Sequence, residues 1–277
     1  MTRTSTPAML VNGAPPGDPE LALPANDRGF HYGDGVFESA LLRTGRVRFL
    51  EDHLERLYGG CERLGIPPPE RAVLLADIEQ VTAGSLAGVL KIVVSRGPGA
   101  RGYRPDSAAE PTRVVALHAL PEAADTREIA LRWCTMRLGR NARLAGIKHL
   151  NRLEQVLAQA EWHDRRIGEG LMLDTEGELV CGTASNIFIV RDGVLVTPDL
   201  RYSGVRGVMR KQVLRAAAQL GIAASEEPLW PEDLERASEV FVTNAVRGVR
   251  CATSLGSQRW PPGRIAARLI AELESLH

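Results

Sequence analysis

The sequence predicts a mixed α/β protein of the α+β class, folded as two domains, and three observations carry that prediction. The chain has 277 residues, a length at which a single hydrophobic core stops growing and chains divide. Segments with helical periodicity are interspersed with β-type runs along the whole chain. A short proline-containing passage, Leu120-Pro121-Glu122-Ala123-Ala124, separates the two stretches. The expected division is a smaller domain over 1–119, a linker over 120–124 and a second domain over 125–277.

In the first stretch, VFESALLR and RVRFL flank Thr44-Gly45, which predicts a hairpin. Leu54, Leu57, Cys61 and Leu64 then recur at three- and four-residue steps, so a helix starts near Glu51 and stops at Gly65, ahead of Pro67 to Pro69. Arg56 lies off its apolar stripe. A second helix is expected over about 70–83. GVLKIVVS (88–95) reads as a strand buried on both faces. The glycine-rich loop RGPGARGY and a strand over 112–118 follow.

The second stretch predicts a strand near 129–134 and a helix from about 150 to 164 with apolar positions Leu150, Leu153, Val156 and Leu157. Strands LMLD, ELVCGT and NIFIV come next, and Arg191-Asp192-Gly193 turns the chain into VLVTP. A helix over about 207–220, the strand EVFVTN ending at Asn244 and a helix over 265–276 complete it. Alternation dominates over pure apolar runs in this half. No internal repeat is visible.

Composition narrows the function. The 34 basic and 34 acidic side chains balance without a basic block, which argues against a nucleic-acid surface. Cys61, Cys134, Cys181 and Cys251 are scattered, with no Cys-x-x-Cys pair and no histidines at ligand spacing, so neither a metal site nor a disulfide frame is expected. No stretch approaches the ~20 apolar residues of a membrane span, and Met1 to Gly13 lacks the order of a signal peptide. The expectation is a cytoplasmic protein with a small-molecule partner.

Three places hold residues that periodicity does not need. In AGIKHLNRLEQVLAQAEW, Lys148 follows a small apolar tripeptide and precedes a helix. A lysine there is most often a solvated charge; the sharper reading is an amine whose partial burial makes its neutral, nucleophilic form accessible. In RGVMR, the backbone N–H groups of Gly207, Val208 and Met209 open a helix and point outward, an anion cradle or an ordinary capped end. In RGPGARGY the glycines bend the backbone so that Arg96, Arg101 and Tyr103 project into a cleft, where Arg101 matches a carboxylate, or else the loop is a surface turn. It has neither Walker nor dinucleotide-loop spacing.

Taken in order, these pieces resemble the class IV pyridoxal-phosphate enzymes, the family of branched-chain and D-amino-acid aminotransferases and aminodeoxychorismate lyase. The similarity runs from NDRGFHYGDGVFES (26–39) through FLEDHLERL and SRGPGARGY to FVTNAV (241–246). It is densest in RLGRNARLAGIKHLNRLEQVLA (137–158), where KHLNRLEQ looks most like the lyase.

The resemblance implies the two-domain fold type IV architecture of D-amino-acid aminotransferase, with pyridoxal 5'-phosphate in the interdomain cleft and a homodimer completing the site. Lys148 matches the lysine that forms a Schiff base with the cofactor. Arg56 matches the arginine that holds the cofactor phosphate, Val208 and Met209 the phosphate-binding helix start, and Asn244-Ala245 a second phosphate-binding turn. Arg101 and Tyr103 match the loop that faces the substrate.

One position departs from the pattern. Counting back from Asn186, the family's glutamate partner of the pyridine nitrogen falls on Cys181, and a thiol is a weak hydrogen-bonding group. Thr183 or a water is a candidate substitute, whereas Glu178, an odd step away, is expected on the other side of the strand. The implied reaction converts 4-amino-4-deoxychorismate to 4-aminobenzoate and pyruvate, a step of folate biosynthesis. The rival reading is an aminotransferase acting on D-amino or branched-chain amino acids, for which Glu38 leaves room. A more remote one, to which Cys181 lends some support, is a non-catalytic cofactor-binding protein.

Overall fold

A computed structural model of the chain describes residues 9–16, 23–106, 108–121 and 127–276, and residues 122–124 of the expected linker lie outside these. The chain forms two units. One takes in residues 1–122 and Lys148–Asn151, the other residues 123–147 and 152–277.

The first unit runs β1 (Met9–Val11), α1 (Arg28–Tyr32), β2 (Gly35–Arg43), β3 (Arg46–Val47), α2 (Leu50–Leu64), α3 (Arg71–Thr82), β4 (Ala87–Ser95) and β5 (Thr112–His118). Its five strands form one antiparallel sheet in the order β1-β5-β4-β2-β3. Thr44 and Gly45 both take positive φ (51° and 76°) at the β2–β3 turn, a conformation that matches the twist of a two-residue hairpin. The α2 stripe seats on β2, with Leu54, Leu57 and Cys61 at most 1% exposed, and the helix ends on left-handed Gly65. α3 covers β5 and β1.

The strand β4 corrects one expectation: it is buried on one face only. Leu90, Ile92 and Val94 are inside while Val89, Lys91 and Val93 are half-buried. Helices cover one side of this antiparallel sheet, and an antiparallel sheet tolerates a half-exposed face.

The second unit contains β6 (Glu128–Trp133), α4 (Leu153–Gln159), β7 (Ile167–Leu173), β8 (Leu179–Gly182), β9 (Asn186–Arg191), β10 (Val194–Thr197), α5 (Val208–Gln219), β11 (Ala224–Glu226), α6 (Pro231–Glu235), β12 (Glu239–Asn244), β13 (Gly248–Leu255), β14 (Gln258–Arg259) and α7 (Arg264–Ser275). The sheet order is β11-β10-β9-β12-β13-β6-β7-β8, with β14 beside β13. The pairs β10/β11, β13/β6 and β6/β7 are parallel.

Here the expected alternation fails, because β7, β8, β9 and β12 are buried on both faces. One face of the sheet carries Leu131, Leu171, Ile187, Ile189, Val240 and Val242 into a core closed by Leu229, Leu234 and Trp260. Phe188 and Phe241 stack on the opposite face at 5.1 Å, the side on which α5 and α7 pack against β12.

The helix expected over 150–164 is shorter, and Leu150 lies outside it. Leu153, Val156 and Leu157 are 50% or more exposed, and Ala158 makes the buried contact. Residues 148–150 are held extended against β2, so helix formation starts only after Asn151.

Candidate active site

Lys148 is carried by the first unit. The N–H of Phe37 donates to the Lys148 carbonyl (2.9 Å), the N–H of Leu150 donates to the Gly35 carbonyl (2.9 Å), and Val36 bridges His149. Residues 148–150 thus extend the sheet at the edge of β2 beyond the reach of short β3. This pairing places Lys148–Asn151 in the first unit, unlike the division expected from sequence. Two glycines permit the close approach. A Cβ on Gly35 would stand 2.7 Å from Leu150 Cδ1, and one on Gly33 (φ 64°) would stand 2.8 Å from Asn151, whose side-chain amide donates to the Gly33 carbonyl.

The pairing also sets directions. Side chains on opposed strand positions share a face, so Lys148 points with Phe37, and its Nζ lies 4.2 Å from the centre of the Phe37 ring. Phe37 faces the half-exposed side of the sheet; Val36 and Glu38 face α2.

Under α2, Glu38 is 1% exposed and accepts from Arg56 Nε at Oε1 (2.7 Å) and from Arg56 Nη2 at Oε2 (2.5 Å), while His53 Nδ1 lies 2.6 Å from Oε2. Burial by itself raises a carboxyl, but the Arg56 charge and hydrogen bonds, aided by His53, bring Glu38 down to about 2. Arg56, off the apolar stripe as expected, therefore turns its guanidinium toward a buried carboxylate, a contact no helical periodicity reveals.

The glycine-rich loop is built on Arg28, which is 4% exposed and donates to the carbonyls of Gly102 (2.9 Å) and Tyr103 (3.0 Å) and to Asp34 (2.9 Å). The Gly102 N–H donates to the Tyr32 hydroxyl, and the Tyr32 and Tyr103 rings meet edge-on at 5.5 Å. Arg101 and Tyr103 are exposed. Arg96 is different: it is 8% exposed, bound to Asp34 and to the Leu64 and Gly65 carbonyls, so it is a structural brace and does not project from the loop.

In the second unit the N–H of Gly146 donates to the Gly204 carbonyl (2.9 Å), and that of Arg206 donates to the Gly146 carbonyl (3.2 Å). The chain two residues before Lys148 is therefore paired with the segment that leads into α5. Helix α5 starts at Val208 after Gly207 and has no side-chain cap bond. Its first N–H groups, at Val208 and Met209, are the anion-binding kind, whereas both side chains are buried (3% and 2%). Asn186 holds this entry by donating to the Val205 carbonyl (2.8 Å), and a Cβ on Gly207 would fall 2.1 Å from Asn186 Oδ1. The Asn244 side chain shapes the turn at Ala245, accepting from the N–H groups of Val246 (3.1 Å) and Arg247 (2.8 Å).

Cys181, opposite Met172 on β8, sits among Cys134, Leu138, Ala158 and Leu200. Burial, with the nearby Glu169 charge, pushes its thiol up to about 12. Glu178 is drawn to Arg140 (3.5 Å). Thr183 is engaged by Glu169, a 2%-exposed carboxylate that accepts from the hydroxyls of Thr183 (2.5 Å) and Ser185 (2.7 Å). Sequence reasoning missed Arg28, Lys91 and Glu169; only Lys91, a charge inside the apolar run GVLKIVVS, carried a signal.

The family model for class IV amino-transferases matches residues 35–255. The chain belongs to the class IV aminotransferase family. Among solved members, the 4-amino-4-deoxychorismate lyase of Pseudomonas aeruginosa shares 40% identity, covers 97% of this chain and 98% of its own, and superposes with a TM-score of 0.92. The aminodeoxychorismate lyase of Vibrio harveyi is 32% identical over 272 residues, 96% of this chain and 99% of its own. A branched-chain amino acid aminotransferase from T.th., solved with pyridoxamine 5'-phosphate, is 25% identical, covers 97% of this chain and 93% of its own, and has a TM-score of 0.84. The architecture is that of fold type IV pyridoxal-phosphate enzymes.

Each unit by itself offers one part of what that cofactor binds through: the first a lysine amine seated on an aromatic ring, which suits an aldehyde, and the second a helix start with no side-chain cap, which suits a phosphate. At the position expected to meet the ring nitrogen, a protonated thiol cannot balance a positive charge as a carboxylate would.

Proposed function

We propose that this class IV enzyme is an aminodeoxychorismate lyase, cleaving 4-amino-4-deoxychorismate to 4-aminobenzoate and pyruvate in folate synthesis, as a cytoplasmic homodimer. The supporting observation is the end-to-end likeness to the Pseudomonas aeruginosa lyase, 40% identical over nearly both full lengths. The burial of Glu38 beneath α2 adds to it, because that carboxylate, the feature that left room for transamination, is held by Arg56 and His53 on the face away from Lys148.

The cofactor is pyridoxal 5'-phosphate. Lys148 would hold its aldehyde carbon, the α5 start at Val208 and Met209 and the turn at Asn244-Ala245 would hold its phosphate, and Cys181 would meet its ring nitrogen; Arg56, which the resemblance matched to a phosphate ligand, is bound to Glu38. When bound, it supplies a carbonyl that joins the substrate amine and a conjugated ring that delocalises an electron pair.

Lys148 Nζ takes the proton from the amine-bearing ring carbon of the substrate. The electron pair left behind completes the aromatic ring as the bond from the adjacent carbon to the enolpyruvyl oxygen breaks. Lys148 Nζ then returns the proton to the departing enolpyruvate, which becomes pyruvate. Proton and electron pair both balance, and no second substrate is needed. Because the elimination is driven by aromatisation, a weak partner at the ring nitrogen suffices. Arg101 and Tyr103, on the loop anchored by Arg28, bind the substrate, the guanidinium matching a carboxylate.

The test supplies enzymatically generated aminodeoxychorismate and follows 4-aminobenzoate fluorescence and pyruvate together. Equal formation of both, absent in Lys148→Ala, is the expected result. Amino transfer from D-amino or branched-chain donors without 4-aminobenzoate would replace the lyase with the aminotransferase reading.

A further inference from the structure

One buried carboxylate holds the turn between β8 and β9, residues 183–185. Glu169, on β7, accepts at Oε1 from the Gly170 N–H (3.1 Å), the Thr183 N–H (3.2 Å) and the Thr183 hydroxyl (2.5 Å), and at Oε2 from the Ser185 hydroxyl (2.7 Å). The Thr183 hydroxyl also accepts from the Gln159 side-chain amide, so its single proton is committed to Glu169. Gly182 makes room for this arrangement: a Cβ there would stand 2.2 Å from Ser185 Oγ and 2.8 Å from Glu169 Cγ. The Arg250 guanidinium stands 3.9 Å from Oε2, beyond hydrogen-bond reach. The hydrogen bonds of this carboxylate are therefore spent on the turn and on its own strand.

The same turn touches both segments assigned to the cofactor phosphate. On one side, the Ala184 carbonyl accepts from the Asn244 side-chain amide (3.2 Å), and the Oδ1 of that amide shapes the turn at Ala245. On the other side, Asn186 donates to the Val205 carbonyl (2.8 Å) and lies against Gly207, one residue ahead of α5. The β9–β12 ladder ends at the Asn186–Thr243 pair, and past that point the Asn244–Ala184 bond ties the two turns together. All of these residues belong to the second unit.

We propose that Glu169 is a positioning residue for the cofactor phosphate: by pinning Thr183 and Ser185 it fixes the β8–β9 turn, and that turn, through Ala184 and Asn186, sets the Asn244-Ala245 turn and the start of α5 relative to each other. Backbone N–H groups bind an oxyanion tightly when they already converge on it, because no ordering is left to be done at the moment of binding. The inference rests on the cofactor site of the proposed function, and not on which substrate is cleaved there.

The experiment uses the full chain freed of cofactor. It is titrated with pyridoxal 5'-phosphate and, separately, with pyridoxal, which carries the aldehyde without the phosphate, and the absorbance of the lysine-linked form is read. Inorganic phosphate is added as a competitor of the first. Glu169→Ala is expected to weaken pyridoxal 5'-phosphate by about tenfold or more, and Ser185→Ala, which removes one bond to the carboxylate, by about fivefold. Competition by phosphate should weaken in parallel, while pyridoxal stays within about twofold of the parent. Glu169→Gln, which keeps the length and an oxygen for the Thr183 and Gly170 donors, is expected to restore most of the affinity. Thermal melts show which variants are folded, and Ser185→Ala, the smaller change, carries the test where Glu169→Ala does not fold. Equal losses for pyridoxal and its phosphate, or an unchanged affinity for the phosphate in the folded variants, overturns the proposal and leaves Glu169 a brace of the turn alone. A parent chain that takes up neither aldehyde rejects the cofactor site itself and this proposal with it, whereas a failed lyase assay leaves the titration intact.

Discussion

The N–H of Phe37 donates to the carbonyl of Lys148 at 2.9 Å, and the Phe37 ring lies under the Lys148 amine at 4.2 Å. One residue of β2 thus fixes both the backbone and the side chain of the candidate reactive lysine. The backbone bond needs no lysine side chain.

Replacing Lys148 by Ala is therefore expected to leave the fold in place, with a melting temperature in the absence of cofactor within a few degrees of the parent's. The visible absorbance of lysine-linked pyridoxal phosphate is expected to vanish, and borohydride reduction should no longer tag the peptide that contains residue 148. A reduced cofactor found on any other lysine would reject the assignment.

Glu38 is expected to be a major stabilising group. Glu38→Gln keeps one acceptor oxygen but leaves the Arg56 guanidinium without its counter-charge, so it should lose roughly 3 kcal/mol of stability at pH 7 by the size of a buried pair's disruption. The folded carboxyl titrates at about 2, against an ordinary value of 4.5. Its contribution is fully present above about pH 4.5 and is lost as pH falls toward 2. Urea unfolding of the two proteins should show a gap that is wide at pH 7 and closes across that window. A gap independent of pH would mean that the carboxylate's charge is not what stabilises the pair.

At the start of α5, Gly207 leaves no room for a Cβ beside Asn186. Gly207→Ala must displace the Asn186 side chain that donates to Val205, a rearrangement worth about 1–3 kcal/mol in a packed site. Pyridoxal-phosphate affinity, titrated by absorbance, is expected to weaken by tenfold or more, with the same loss for free phosphate as a competitor. An unchanged affinity would remove this helix start from the cofactor site.

Thiol chemistry should follow burial. Cys61, Cys134 and Cys181 are buried, and each thiol is pushed up to about 12. A thiol-specific disulfide reagent at pH 8 should leave these three unreacted in the native protein and label all four cysteines after unfolding. Rapid native labelling of Cys181 would place it on an open surface. Cys181→Ser is expected to cost about 1–3 kcal/mol, because the hydroxyl enters a cluster of Leu138, Met172 and Leu200.

Much of the local structure was legible because it rests on short-range rules. The strands at 112–118 and 239–244, the hairpin at Thr44-Gly45 and the α2 stop at Gly65 follow from periodicity and turn chemistry alone. The family resemblance named Lys148, Arg56 and the α5 start before any contact was known.

Which faces of each strand are covered was not legible. Strand β4 looked doubly buried and is not, while β7, β9 and β12 are buried on both faces although their half of the chain looked alternating. Burial on the second face depends on what packs there, and that information lies in other segments.

By itself, the sequence determined many of the element types and the family, because each is written in contiguous residues. Only the tertiary structure decided that Lys148 belongs to the edge of β2, that Arg56 and His53 enclose Glu38, that Arg28 carries the glycine-rich loop, and that Lys91 stands across Phe37 from Lys148. Each of these joins residues at least 15 positions apart, and only the long-range pairing and packing of the folded chain bring such groups within hydrogen-bond or ring-contact distance.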